Sequence, residues 1–267
     1  MQLMFICLCL LTKAFACCMP TDIFVLSSAA AVVFPHVFAA VPVDDNTDPL
    51  CAFVAATNIE SIYSEWSCAP SGEPLSAPCA DPVWHGLACS HSSSQGPISI
   101  TLPAIGLNGS LPVSLGLLTN LTKLSLSDNC LSVSLPRAVG CLTNLVTLDL
   151  GGNQLTGTLP ASLGCLASLQ SMQLGTNCLG GVVPVEFGSL SSLVSCDLGA
   201  DHLTGTFPSS LALLTSLERL VVRENSFTGA LPPSLGCLTL LTELDCSSNS
   251  LYGPIPSSLG SLMLLST

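Results

Sequence analysis

The chain has 267 residues, only 8% of them charged, and carries a formal net charge of -12 at neutral pH. This excess of acidic side chains repels phosphate backbones, so nucleic acid is excluded as an expected partner. The length alone allows one or two domains, and the 15 cysteines fall into groups that have different meanings.

An apolar leader occupies residues 1–43, in which Lys13 is the one basic residue. A segment of this kind is typical of a cleaved signal peptide, and a retained signal anchor is the alternative. Lys13 precedes the apolar stretch Ile23–Val43 of this leader and acidic residues follow that stretch, so the remainder of the chain is expected outside the cell. The predicted location is therefore secreted or cell-surface, with membrane attachment only through a leader anchor or a missing carboxyl-terminal span.

Residues 44–96 lack the repeat that follows them and are predicted to form a cysteine-containing amino-terminal cap. A stack of similar turns leaves the apolar interior of its first turn open to water, so its terminal unit must differ. The segment holds both tryptophans of the chain, and a short helix is predicted around 49–66.

Four cysteines lie in this exported segment: Cys51, Cys68, Cys79 and Cys89. They argue for disulfides, and their spacing does not decide among the three possible pairings. We favour Cys51–Cys68 with Cys79–Cys89. One disulfide with two free thiols is an alternative. A zinc site is another, in which His85 and His91 join the second pair of cysteines, but these spacings do not match the usual zinc ligands.

From residue 97 to residue 267 the sequence repeats with a step of 24 residues. Leucine recurs at Leu121, Leu145, Leu169, Leu193, Leu217, Leu241 and Leu265. Asparagine recurs at Asn129, Asn153, Asn177, Asn225 and Asn249. Proline recurs at Pro136, Pro160, Pro184, Pro208, Pro232 and Pro256. A period of this length indicates stacked structural units instead of an ordinary globular core.

One unit occupies residues 145–164 and reads LVTLDLGGNQLTGTLPASLG. Residues 147–150 alternate between polar and apolar, which predicts a strand, and neighbouring units then form a parallel sheet with strands about 4.8 Å apart. Asn153 follows where the chain turns, and its amide can donate to and accept from backbone groups that the turn leaves unpaired. Pro160 then fixes the chain direction ahead of a short helical or 3₁₀ turn.

This unit resembles the plant-type subclass of extracellular leucine-rich repeats, because its leucine, asparagine, glycine and proline positions recur in phase over about 97–267. The segment WHGLAC at 84–89 is similar to the amino-terminal cap of that family. The resemblance implies an α/β solenoid: a right-handed curved superhelix with an inner parallel β-sheet and a disulfide-containing amino-terminal cap. Members of the family serve as receptor ectodomains, co-receptors and inhibitors of secreted wall-degrading enzymes.

Several residues depart from the repeat. Ile105 takes the asparagine position of the first turn, Val133 takes a glycine position, and Asp201 takes an asparagine position. An ionised aspartate accepts hydrogen bonds but cannot donate them, so Asp201 predicts either a rearranged turn, which we favour, or a carboxyl whose pKa is raised by burial. Cys196 and Cys246 replace inward leucines and are expected to be small buried apolar groups.

Side chains at outward strand positions form two columns on the predicted inner sheet. The first column is Ser125, Asp149, Gln173, Asp197, Val221 and Asp245. The second column is Lys123, Thr147, Ser171, Ser195, Arg219 and Glu243. We predict a polar, mostly acidic ligand-binding surface made of Asp149, Gln173, Asp197, Arg219, Arg223, Glu243 and Asp245. The alternative is that these side chains are simply solvated, as outward strand positions usually are.

The resemblance and the exposed sheet together predict a recognition module that binds a protein, peptide or glycan on the concave face, of the receptor-like ectodomain or enzyme-inhibitor type. The alternative is a structural cell-surface or wall protein without a discrete ligand. No G-x-S-x-G, H-E-x-x-H or phosphate-loop motif occurs, so neither an enzyme nor a cofactor is predicted. Two Asn-x-Ser/Thr sequons, at Asn108 and Asn120, are compatible with glycosylation of an exported chain.

The carboxyl end opens a further unit with Leu262, Leu264 and Leu265, and it stops at Thr267 where the next strand would begin. Such an end leaves apolar side chains uncovered. We therefore expect the encoded protein to continue beyond Thr267.

Overall fold

The computed structural model describes residues 48–79, 83–90 and 96–265. The predicted leader at 1–43 lies outside the described residues, as does His91 of the alternative zinc site. In the described part of the chain, no helix is both long enough and apolar enough to span a membrane.

The cap begins with a short α-helix, Pro49–Ala56, whose first turn is fixed by Asp48. The Asp48 carboxylate accepts hydrogen bonds from two backbone N–H groups of that turn, at 2.8 and 3.3 Å. These N–H groups have no partner inside the helix, as is usual for a first turn. A second α-helix, Ile59–Ile62, follows. The helix predicted around 49–66 is interrupted because the N–H of Asn58 donates instead to the carbonyl of Asn108 in the first coil, at 3.3 Å.

Two tryptophans cover the apolar interior of the first coil. Trp66 and Trp84 lie with their ring centroids 5.0 Å apart, and both belong to the same buried cluster as the leucines of the coils. The indole N–H of Trp66 donates to the carbonyl of His85 at 3.0 Å, and that of Trp84 donates to the Ser76 hydroxyl at 2.8 Å. Because both polar groups have partners, the rings can be buried without an unpaired donor.

Two disulfides hold the cap, Cys51–Cys68 and Cys79–Cys89, each with its Cα atoms 5.8 Å apart. This is the pairing favoured from the sequence. Both cysteines of the alternative zinc site are therefore oxidised. In the three described ranges, no group of three or more ligating side chains is placed to hold a metal ion.

Eight strands in sequence order form one inner sheet, which lines the concave face of the solenoid. They are Leu87–Cys89, Pro97–Thr101, Lys123–Ser125, Thr147–Asp149, Ser171–Gln173, Ser195–Asp197, Arg219–Val221 and Glu243–Asp245. The first pair is antiparallel and the other pairs are parallel. Each parallel pair sets a residue opposite the residue 24 positions later, such as Leu148 opposite Met172. The sequence step is therefore the register of the sheet.

Short outer strands and 3₁₀ helices complete each coil. The outer strands are Asn108–Gly109, Cys130–Ser134, Gln154–Thr156, Gly180–Gly181, His202–Gly205, Ser226–Gly229 and Ser250–Leu251. The 3₁₀ helices are Val113–Leu117, Arg137–Cys141, Ala161–Cys165, Val185–Ser189, Ser209–Leu213, Pro233–Cys237 and Ser257–Ser261. A proline precedes each of these 3₁₀ helices, as at Pro160 with φ −67° and ψ 131°, because its ring fixes φ at the entry.

The repeated leucines form a continuous interior. Complete burial, with 0% of the residue exposed, is found at Leu121, Leu145, Leu169, Leu193, Leu217 and Leu241. Leu148 and Met172 on successive inner strands are also 0% exposed. Each fully buried leucine contributes about 2 kcal/mol, so this shared interior is the main source of cohesion between coils.

The asparagine ladder ties each coil to the one before it. The Asn153 amide donates to the carbonyls of Leu126 and Leu150, both at 3.0 Å, and of Gly151 at 3.2 Å. Its carbonyl oxygen accepts from the N–H of Leu131 at 3.0 Å. The same four bonds recur at Asn129, Asn177, Asn225 and Asn249. Buried backbone groups of these five turns thus gain partners.

Asp201 occupies the ladder position without any rearrangement, so the favoured prediction for this turn is wrong. Its Oδ1 accepts from the N–H of Leu179 at 2.7 Å, as the Asn177 carbonyl accepts from Leu155, and Ala200 keeps the left-handed φ of 55° found in this turn of the other coils. The second oxygen, Oδ2, is buried with no partner among the described residues. Burial raises the pKa of the Asp201 carboxyl to about 7. The turn therefore accommodates the carboxyl by favouring its neutral form, and the backbone does not rearrange.

Val133 keeps the left-handed backbone of the glycine position that it occupies. Its φ is 70°, close to the 79° of Gly157 in the next coil. A β-branched residue is disfavoured in this region because its Cβ approaches the carbonyl oxygen. Coil-to-coil packing therefore imposes this conformation against the local preference of valine.

Two cysteines stand in leucine positions of the interior. Cys196 is buried, and desolvation raises the pKa of its thiol to about 12, so it is a protonated apolar group as predicted. Cys246 is half-buried, and desolvation also raises the pKa of its thiol.

Candidate functional site

The register of the inner sheet aligns both predicted columns on one face. The first column, Ser125 to Asp245, and the second column, Lys123 to Glu243, each pair in steps of 24 residues through the parallel strands. Alternate residues of a strand point to the same side. Both columns therefore lie on the face opposite the buried Leu148.

Asp149 is held by three hydrogen-bond donors. Its Oδ2 accepts from the hydroxyls of Ser125 and Ser127, at 3.0 and 2.8 Å. Its Oδ1 accepts a longer bond, 3.4 Å, from the N–H of Gly151. No basic side chain in the described ranges pairs with this carboxylate, so its charge is oriented but not neutralised.

Gln173 takes the equivalent place one coil later and behaves differently. Its amide donates to the hydroxyls of Ser171 and Ser195, at 3.3 and 3.1 Å, and not to its own turn. The N–H of Gly175 consequently lacks the side-chain acceptor found in neighbouring coils, and it has no partner among the described residues. Gly175 is buried, and buried N–H groups without partners are rare in finished structures.

Two arginines pair with acidic side chains toward the carboxyl-terminal coils. The Nε of Arg219 donates to Glu243 at 2.8 Å, and its Nη1 lies 3.4 Å from Asp197. The hydrogen bond to Glu243 is the main reason that the pKa of the Arg219 guanidinium is raised. Arg223 lies 3.6 Å from Glu224 and 4.0 Å from Asp245. These pairs are partly exposed, so they organise the surface more than they stabilise the fold.

A groove of about 350 Å³ follows the edge where the inner strands end, and we call it the glycine groove. Its lining consists of Ser127, Asp128, Asp149, Gly151, Gly152, Gln173, Gly175, Thr176, Asp197, Gly199, Ala200 and Arg223. Gly151, Gly175 and Gly199 recur at the repeat step and leave its floor without side chains. A Cβ on Gly175 would lie 2.7 Å from Asp197 Oδ1 and from the Gly199 carbonyl, so a larger residue there would fill the groove.

Four of the seven predicted ligand-binding residues line the glycine groove: Asp149, Gln173, Asp197 and Arg223. The other three, Arg219, Glu243 and Asp245, lie outside the lining and connect to it through the ion pairs above. The glycine floor and the flanking Ser127 and Asp128 were not predicted. A signal for the floor existed in the sequence, because glycine recurs at 151, 175 and 199 directly after the strands.

Comparisons with known proteins agree with this architecture. Sequence models of leucine-rich repeats match residues 119–163, as two copies, and residues 216–238 and 240–262. Comparison with curated proteins gives no match.

Among solved structures, the Arabidopsis receptor kinase HAESA in complex with the peptide hormone IDA and the co-receptor SERK1 is 32% identical, over 81% of this chain and 36% of that chain, with a TM-score of 0.69. The plant peptide hormone receptor RGFR1 in complex with RGF2 is 32% identical, over 65% of this chain and 28% of that chain, with a TM-score of 0.62. The BIR3–SERK2 complex from Arabidopsis thaliana is 29% identical, over 78% of this chain and 96% of that chain, with a TM-score of 0.53.

The chain spans only about a third of the length of the HAESA and RGFR1 chains that it matches. This chain itself has stacked coils, an inner parallel sheet, an asparagine ladder and 3₁₀ helices behind prolines. With the repeat-model matches, these features show that the chain belongs to the leucine-rich-repeat proteins, in the plant-type subclass of extracellular repeats.

Proposed function

We propose that the chain is an extracellular recognition module that binds a peptide or protein ligand along its concave face, as a receptor-like ectodomain or an enzyme inhibitor does. The glycine groove carries this proposal, because it combines charged side chains, an unpaired backbone N–H and a floor without side chains. The likeness supports it: HAESA and RGFR1 were solved with peptide hormones, and BIR3 with a protein partner.

Binding fits the groove better than catalysis does. Its polar groups are arranged as hydrogen-bond and charge partners in a row across successive coils. A catalytic site needs a nucleophile, a base and charge-stabilising donors that converge on one reacting atom. Repeat solenoids instead offer extended surfaces that contact a partner at many points.

Two features support an extracellular location for this function. The cap contains two disulfides, which persist in oxidising compartments. Asn108 and Asn120, which begin the two sequons, are both exposed. We propose that both carry glycans, and enzymatic deglycosylation of the secreted chain should lower its mass by two glycan units. An unchanged mass would contradict the assignment at both residues.

The test of the function is saturable binding of one partner. The secreted full chain is immobilised and exposed to the extracellular peptides and proteins of its source, and retained species are titrated individually. Alanine at both Arg219 and Arg223 then tests the charged turn, and unchanged affinity would remove that turn from the site. Retention that rises without saturation would instead favour a structural surface or wall protein.

A further inference from the structure

Charge is unevenly neutralised along the glycine groove. In the carboxyl-terminal coils, Asp197 pairs with Arg219 at 3.4 Å, and Arg223 lies 4.0 Å from an aspartate. In the amino-terminal coils, Asp128 and Asp149 both line the groove, and neither pairs with a basic side chain within the described ranges. Within the lining, the end nearer the cap therefore carries two carboxylates without a basic partner, whereas the other end carries Asp197, which is paired, and the guanidinium of Arg223.

Asp149 is oriented before any ligand arrives. The hydroxyls of Ser125 and Ser127 hold one carboxylate oxygen, at 3.0 and 2.8 Å. The other oxygen has only the 3.4 Å bond from Gly151 and can accept a further hydrogen bond. A cation that docks there finds a fixed acceptor, so little conformational freedom is lost on binding.

The dimensions of the groove indicate an extended segment of chain. Its lining runs from Ser127 to Arg223 over five coils, which is four sheet spacings or about 19 Å. A fully extended peptide of roughly six residues covers that distance. Near the middle, the buried N–H of Gly175 has no partner among the described residues, and a main-chain carbonyl of such a peptide can accept from it.

The geometry points to a ligand class for this groove, on the assumption that the proposed binding function holds. The ligand is an extended peptide segment that places a lysine or arginine side chain against Asp149 and Asp128. One of its main-chain carbonyl oxygens accepts the hydrogen bond of the Gly175 N–H. The basic residue lies toward the cap, and the rest of the segment runs toward Arg223.

The experiment is a selection of random hexapeptides by the secreted full chain, followed by sequencing of the enriched pool. We expect lysine or arginine to be enriched at one fixed position. An arginine peptide from that pool is then synthesised again with citrulline, which keeps the shape and removes the charge. The citrulline peptide should bind at least about tenfold more weakly, because removing one partner of a desolvated charge pair has at least this effect.

Three variants locate the effect. Asp149→Asn combined with Asp128→Asn should abolish the preference for arginine over citrulline, because both carboxylates that face the basic side chain are removed. Glu186→Gln removes a carboxylate from the 3₁₀ helix Val185–Ser189, outside the groove lining, and should leave the preference intact. Gly151→Ala adds a methyl group 3.3 Å from the Gly175 carbonyl, so it narrows the groove and should weaken arginine and citrulline peptides alike.

The outcomes separate this inference from the function on which it rests. Saturable peptides without an enriched basic residue overturn the inference and leave the binding function standing. A preference for arginine that survives the removal of both Asp149 and Asp128 carboxylates does the same. Arginine peptides that bind Gly151→Ala at full strength place the site elsewhere and also overturn it. If no peptide binds saturably, the peptide-binding function fails together with the inference.

Discussion

Replacing Asp201 by asparagine should stabilise the fold, by an amount that grows with pH. In the wild-type chain, Oδ2 of Asp201 is buried without a partner among the described residues. An asparagine amide at this position would donate to the carbonyls of Leu174 and Leu198, as the Asn177 amide donates to the carbonyls of Leu150 and Leu174 at 3.1 and 2.7 Å. The variant therefore restores the ladder and removes a buried acid in one step.

The sign and size of the pH dependence follow from the two pKa values of Asp201. The folded-state pKa is about 7, and the unfolded value is about 4. At pH values between these two pKa values, the folded chain binds more protons than the unfolded chain does. The stability contributed by the neutral carboxyl is therefore complete below about pH 4 and is lost as the pH rises through 7. From pH 5 to pH 8 the wild-type chain should lose about 2.5 kcal/mol of unfolding free energy from this residue.

Urea unfolding at pH 5, 6, 7 and 8 measures this loss, because the other titrating groups cancel in the difference between wild type and Asp201→Asn. The converse control is Asn177→Asp, which places a carboxyl at the neighbouring ladder position and should acquire a similar pH dependence. A stability difference between wild type and Asp201→Asn that stays constant from pH 5 to pH 8 would refute the raised pKa.

Three further changes test other parts of the structure. Val133→Gly should raise the unfolding free energy by about 1 kcal/mol, which is measured as a higher Tm. Glycine accepts a φ of 70°, and little buried surface is lost because the valine is 58% exposed. An unchanged or lower Tm would count against backbone strain at this residue. Asn153→Ala should lower the free energy of unfolding in urea by about 3 kcal/mol, since it leaves buried backbone groups unpaired, and a loss below about 1 kcal/mol would contradict the ladder. Cys51→Ser with Cys68→Ser should lower Tm by an amount equivalent to about 3 kcal/mol, and an unchanged Tm would show that this bridge does not stabilise the cap.

The architecture was predictable because it follows from the length of the sequence repeat. A repeat step of 24 residues becomes the register of the parallel sheet, so the sequence step alone identifies Met172 as the partner of Leu148. The same step aligned Asn153 with the ladder. The cap lacks a repeat, and its helix is interrupted by a contact between Asn58 and Asn108, which lie far apart in the sequence. Such long-range contacts leave no periodic signal.

The candidate site was predictable only in part, for a related reason. Side chains that project from the inner sheet could be placed by strand alternation, which identified Asp149 and Asp197. The groove exists because Gly151 and Gly175 project nothing, and a search for reactive side chains passes over residues that have none. The Asp201 turn was misjudged because the preference for rearrangement assumed an ionised carboxylate, whereas burial raises its pKa toward neutrality.

Hydrogen exchange of the full chain, with and without a saturating selected partner, tests most directly the claim that the glycine groove receives the ligand. We expect slowed exchange in 149–153, 173–177 and 197–201, above all at the N–H of Gly175, and unchanged exchange in the 3₁₀ helices Ala161–Cys165 and Val185–Ser189. Protection confined to the 3₁₀ helices while the partner is bound, with none in the groove segments, would contradict the claim.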